Sequence, residues 1–284
     1  MAPYISWRIN GIDLPPIARV SSPRASVSTR RSPIDIPGRH GVVDQGLPQF
    51  AETLITLTIE TTAGSQAAVE AAIAKLNALL SGPSIVITRV AGGFSASGPA
   101  RLVSISPGRH APSVWQEMTA VLAIPAGMLS GPPSAGTPLA FSANLTNALL
   151  PHLQGSSAPI TDAIVRLKGP HAGAFSITDV ATGTGLSQSP VSLSDSQYLY
   201  MDAGRLRSWF SANASAWAGG GTDASATLDY PGPGPLQLWP VVEPAVGDAS
   251  FAAASEPRVR IGATGGSGRT SATELAVYAG RSFL

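Results

Sequence analysis

The sequence predicts a mainly β chain in two parts: an α+β domain with one helix packed on a sheet, then an antiparallel β-sandwich. The first observation is a ladder of short segments within residues 159–202. Ala163–Leu167, Phe175–Asp179, Pro190–Leu193 and Tyr198–Asp202 each have strand length, with Gly, Pro, Thr and Ser between them, the punctuation of an antiparallel sandwich. The second is a helical stripe over residues 65–81 with strand patterns on either side of it. The third is the stretch PAGMLSGPPSAGTP at 125–138, whose Gly, Pro and Ser mark a boundary. The expected division is 1–125 for the α+β domain, 126–158 for a linker and bridging segment, and 159–284 for the sandwich.

From the N-terminus, Tyr4–Ile9 and Ile12–Leu14 flank Asn10-Gly11, the dipeptide that most readily supplies the two positive φ angles of a tight hairpin turn. Pro15-Pro16 stops the pairing, and residues 17–33 read as an exposed, extended arm rich in Arg, Ser, Thr and Pro. PIDIPGRHGVVDQG at 33–46 reads as a rigid, turned loop. In Ala51–Thr61 the alternation of Ile55, Leu57 and Ile59 with Thr56, Thr58 and Glu60 gives a half-buried strand. Ser65 then suits a helix N-cap, and Val69, Ile73, Leu76 and Leu80 form one apolar stripe ended by Gly82-Pro83. Strands are expected at Ile85–Arg89, Ala100–Ile105 and Val114–Ile124, the last with Met118, Ala120, Leu122 and Ile124 on one side.

Beyond the boundary a bridging strand is expected around Ala140–Leu145. The sandwich continues past Asp202 with Leu206–Phe210, Pro235–Val242, Arg258–Ile261 and Glu274–Ala279, and Ala214–Tyr230 reads as a long loop. Trp209, Trp217 and Trp239 supply bulk to its core or edges. No tandem repeat is present at a fixed period.

Charged residues make up only 12% of the chain, about half the usual ~25%. Such a surface is that of a domain decorated with Ser, Thr and Gly, which composition alone favours, or of a subunit held in an assembly. The net charge of +1, with 16 Arg and 2 Lys, points to no bulk attraction for nucleic acid or membrane. The absence of cysteine excludes disulfides and thiolate chemistry. The first residues lack the basic and apolar regions of a signal peptide, and no apolar run approaches the ~18 residues that span a bilayer.

No catalytic constellation is legible. His40, His110, His152 and His171 lie at no metal-ligand spacing from one another or from a cluster of carboxylates. Asp162, Asp179, Asp195, Asp202, Asp223 and Asp229 are scattered through the second half and read as strand-end and turn residues. Two of them facing each other across a cleft would be the mark of a glycan-cleaving enzyme. Gly262–Ser271, GATGGSGRTS, fails the phosphate-loop pattern, because Ala263 stands five before Gly268 and Arg269 replaces the lysine; it reads as a flexible turn. No cofactor and no metal are expected. Arg8, Arg19, Arg24, Arg30, Arg31 and Arg39 crowd the first forty residues without interleaved aromatics. They suit a protein interface, where arginine pairs bidentately with carboxylates, better than a nucleic-acid arm.

Taken together, these residues resemble the distal tail proteins of long, non-contractile-tailed bacteriophages of the siphovirus type. In the N-terminal half the resemblance rests on Ile36–Asp44 (IPGRHGVVD), the strand at 52–60, the helix at 65–81 and the strands up to Ile124. In the C-terminal half it rests on Ile164–Gly169, on Thr178–Gly183 leading into Leu186, on Tyr198–Asp202 and on Leu275–Leu284. The Gly/Ala-rich segment 214–234 and the Pro-rich linker depart from the family's usual pattern.

The resemblance implies a belt domain that closes into a six-fold ring and a galectin-like sandwich outside it. It implies a non-enzymatic virion protein at the distal end of the tail, assembled in the host cytoplasm, with the tail tube protein and the tail hub as partners beside its own copies. A heterologous ring needs two different patches per subunit, and an arm that adds to a neighbour's sheet makes one. Tyr4, Trp7, Arg8, Arg19, Arg24, Arg30, Arg31, Arg39 and His40 are the expected interface residues. The alternative is a minor tail protein that binds host polysaccharide through the sandwich, for which an exposed Trp217 or Trp239 flanked by Asn or Asp is the sign to look for.

Overall fold

Asn10 and Gly11 have φ values of 51° and 78°, so the turn between Ser6–Ile9 and Ile12–Asp13 forms where the sequence places it. This hairpin begins the first of two compact units in the computed structural model, which describes residues 5–14, 19–20, 28–30, 33–35, 42–44, 46–92, 94–111, 115–247 and 250–284. The units are Met1–Gly131 with Phe283–Leu284, and Pro132–Ser282.

In the first unit an antiparallel sheet runs in the order Ile12–Asp13, Ser6–Ile9, Ile85–Ala91, Phe94–Ala111, Trp115–Ile124, Thr53–Thr62, Arg19–Val20. The expected alternation holds: Ile55, Leu57 and Ile59 are buried, and their register partners Leu122, Ala120 and Met118 are buried with them. The helix spans Gln66–Leu80, with the Ser65 hydroxyl accepting from the Ala68 N–H at 3.3 Å and the Ser81 N–H donating to the Asn77 carbonyl. At about 22 Å it covers part of one sheet face, burying Val69, Leu76 and Leu80 with Ile73 packed against the core. Among the described residues no helix is long and apolar enough to cross a membrane.

The strand expected at Ala100–Ile105 is much longer, Phe94–Ala111. Pro99 and Pro107 hide it in the sequence, because proline normally argues against a strand interior. Pro107 sits next to a register shift, where a ladder tolerates it.

The second unit is an antiparallel β-sandwich. One sheet runs Ser134–Ala135, Glu274–Ala279, Ile164–Lys168, Tyr198–Asp202, Arg207–Ser211, Thr222–Asp223, with Leu139–Ala140 also on Glu274–Ala279. The other runs Leu145–Leu149, Arg260–Ser267, His171–Asp179, Gly185–Leu193, Leu228–Asp229. Alternate residues of both sheets meet in one core: Val165, Leu167, Leu199, Met201, Leu275 and Val277 against Phe175, Ile177, Leu186, Val191, Ile261 and Ala263. Residues 134–149, within the segment expected as a linker with a bridging strand, supply edge strands to both sheets.

Two further expectations change. Pro235–Val242 makes isolated bridges to Ile160, Gly185 and Arg258 and not a strand. The glycines expected in a flexible turn at Gly262–Ser271 fall mostly inside the strand Arg260–Ser267. There they allow close packing: a Cβ on Gly265 would stand 2.8 Å from His171 Nε2 and 2.9 Å from Phe141 Cε1.

Candidate functional site

Of the residues expected at a subunit contact, Tyr4, Arg24, Arg31, Arg39 and His40 lie outside the described residues. Trp7 is corrected: it is 4% exposed and packs in the core of its own unit with Ile9. Strand alternation turns Trp7 and Ile9 inward and Arg8 outward. Arg8 donates through Nε to the Asp13 carboxylate at 2.6 Å across the hairpin, a surface pair of small energetic weight. Arg19 lies on a two-residue strand, in register with Thr58, and exposed Arg30 lies on a strand paired with Gln49–Phe50.

The first unit also presents a feature that the sequence did not reveal. Phe94–Ala100 pairs with Ile85–Ala91 on one edge, and Arg101–Ala111 pairs with Trp115–Ile124 on the other. The opposite edge of Arg101–Ala111 therefore carries no strand among the described residues. Its side chains from Arg101 to Arg109 are exposed or half-buried, with Val103 53% exposed. A long strand with unpaired N–H and C=O groups is a template for pairing with another chain.

In the second unit the outer face of the first sheet carries an aromatic cluster. Tyr200 and Trp209 stack at 5.3 Å, and the segment after Ser211 folds over them. The Tyr200 hydroxyl donates to the Asn213 carbonyl at 2.7 Å and Trp209 Nε1 donates to the Ala216 carbonyl at 3.1 Å. Arg166 Nη1 donates to the Ala214 carbonyl, and its guanidinium lies 5.0 Å from the Trp217 ring centroid. Trp217 in turn stacks on Tyr278 at 5.1 Å and 17°.

Beside this cluster lies a cleft of about 700 Å³, lined by Asp162, Ile164, Asp202, Arg205, Trp217 and Tyr278 among others. Register assembles it, because Ile164 pairs with Asp202 on one side and with Tyr278 on the other. Asp202 is 5% exposed and accepts from the Arg205 backbone N–H at 3.0 Å, with Arg205 Nε 4.0 Å away. Asp162 reaches solvent at the rim, yet the surrounding wall and then the Asp202 charge hold its carboxyl above the usual carboxylate range. Trp217 lines the cleft with two carboxylates but is half-buried against Tyr278 and Arg166, not exposed. Trp239 does not line this cleft; its backbone N–H donates to the buried Asp179 carboxylate at 3.1 Å. Among the described residues no group of three His, Cys, Asp or Glu is placed to hold a metal ion.

No protein-family model matches the sequence, and no curated protein is similar to it. Among solved structures, the chain matches the crystal structure of SPP1 Dit, described as a paradigm of the hub adsorption apparatus in phages that infect Gram-positive bacteria. The TM-score is 0.58 at 14% identity, covering 99% of this chain and 100% of that one. Two structures of the phage P2 baseplate in its activated conformation, with Ca and with Sr, align over 97% of this chain and 98% of theirs, at 11% identity and a TM-score of 0.38. The match to SPP1 Dit extends over both units, so the chain has the fold of the proteins that its sequence resembles.

Proposed function

We propose that this chain is a structural component of a phage tail tip: a distal tail protein whose copies close into a ring, six in number by the family resemblance. The ring joins the tail tube to the hub at the distal end of the virion tail. The observation that carries this reading is the edge of Arg101–Ala111 that bears no strand among the described residues, in a chain whose whole length follows the fold of SPP1 Dit. A heterologous contact that repeats around an axis closes a ring when the rotation fits, and strand addition supplies a contact whose main-chain hydrogen bonds fix its register.

The outward-facing Arg8 and the exposed Arg30, with Arg19, Arg24 and Arg31 close to them in sequence, are the proposed second patch. The role requires no bond to be made or broken, and the low charge of the chain suits a subunit gripped on several sides.

The edge is tested by placing lysines on it. Val103→Lys with Ser106→Lys should leave the far-ultraviolet circular dichroism unchanged and reduce the sedimenting species to a monomer, because edge charges block strand pairing. A variant that still sediments as the wild-type ring would show that this edge is not the contact.

A further inference from the structure

We propose that the cleft beside Trp217 is a saccharide-binding site, selective for uncharged sugars. The inference is independent of the ring and concerns only the second unit.

The cleft is built from fixed parts. Trp217 is held by the stacked Tyr278 ring, by Tyr200 edge-on at 5.3 Å and by the Arg166 guanidinium. Asp202 is held by the Arg205 backbone N–H. Gly204 keeps the floor bare, since a Cβ there would stand 3.2 Å from Asp162 Cα and 3.5 Å from Asp202 Oδ1. The volume of about 700 Å³ falls within the roughly 300–1,000 Å³ of small-molecule sites.

The lining chemistry selects the ligand. Tyr278 and Ile164, with the part of Trp217 left uncovered by Tyr278 and Arg166, offer an apolar wall for the C–H groups of a sugar ring. Asp162 and Asp202 are acceptors for its hydroxyl protons, and Arg205 is a donor for a ring or acetamido oxygen. Asp162 and Asp202, against Arg205 in the lining and Arg166 beside Trp217, leave no net positive charge to hold a phosphate-bearing polymer. A peptide would need an open strand edge or a deep apolar anchor. This cleft has a mixed wall on the outer face of an internal strand, Ile164–Lys168, paired on both sides.

The test titrates the full chain with maltohexaose, chitotetraose, a rhamnose oligosaccharide and a glycerol-phosphate oligomer, read by saturation-transfer difference NMR. At least one of the three uncharged probes should bind at millimolar concentration, and the phosphate oligomer should not. Asp162→Asn and Arg205→Ala, both at exposed positions, should each weaken binding about tenfold, the equivalent of one lost charge-assisted hydrogen bond, without lowering the melting temperature. Binding of none of the uncharged probes, binding of the phosphate oligomer, or binding untouched by both substitutions would overturn the proposal. The solution mass of the same variants reports on the ring separately: an intact ring without sugar binding defeats only this inference, and sugar binding by a permanent monomer defeats only the ring.

Discussion

Asn10 and Val86 exchange two hydrogen bonds. The Asn10 backbone N–H donates to the Val86 carbonyl at 2.8 Å, and the Val86 N–H donates to Asn10 Oδ1 at 2.7 Å. The same side chain donates through Nδ2 to the Ser84 carbonyl at 3.2 Å, while its backbone holds φ at 51°. One residue therefore turns the first hairpin and ties it to the strand that follows the helix. Asn10→Ala should cost about 1–3 kcal/mol, from the lost side-chain bonds and the left-handed backbone. Asn10→Gly, which relieves the backbone alone, should cost less. Urea denaturation of the three proteins measures both.

The Tyr200 hydroxyl lies under the loop that carries Trp217. It donates to the Asn213 carbonyl at 2.7 Å and accepts from the Ala216 N–H at 3.3 Å. Tyr200→Phe leaves both groups without that partner while keeping the ring stacked on Trp209. A loss of about 1–3 kcal/mol is expected, with faster hydrogen exchange at the Ala216 amide. Unchanged exchange there would show that the loop is held by other contacts.

His171 makes the sandwich sensitive to pH. Burial, and then the charge of Arg269, hold its pKa below the ordinary 6.5, and its Nε2 accepts from the Gly266 N–H at 3.2 Å. The folded ring stays neutral where the unfolded one already takes up a proton. This contribution is complete above about pH 6.5 and is lost as the pH falls towards the lower folded value. His152, lowered by burial, acts in the same direction. Thermal unfolding should show the wild type losing stability between about pH 7.5 and 5.5, and His171→Gln losing less of it.

The glycines at the end of the strand Arg260–Ser267 make a complementary prediction. A methyl group on Gly266 would collide with the Ala172 carbonyl of the paired strand, whereas Gly268, at φ 76°, lies past the strand's end. Gly266→Ala should be destabilising by about 3 kcal/mol, the upper end of the cost of overpacking a tight site. Soluble expression and melting temperature measure the effect.

The elements legible in the sequence are those fixed by local chemistry. The Asn10-Gly11 turn, the Ser65 cap with its stripe, and the alternation through Thr53–Thr62 each announce themselves within a few residues. The inward side of Trp7 follows from the same alternation, because Trp7 and Ile9 share a strand face opposite Arg8. The Phe94–Ala111 strand was hidden by its prolines, which local rules read as breaks. The cleft depends on which strands become neighbours: Asp162, Asp202 and Tyr278 meet only because Ile164–Lys168 pairs between two distant segments. Nothing short of strand order discloses such a meeting.

The proposed closure of copies of this chain into a ring is tested by its mass in solution. Light scattering across a concentration series, with negative-stain images of the same sample, should give a closed ring of about six subunits. A monomer at every concentration, with no rings in the images, would contradict it.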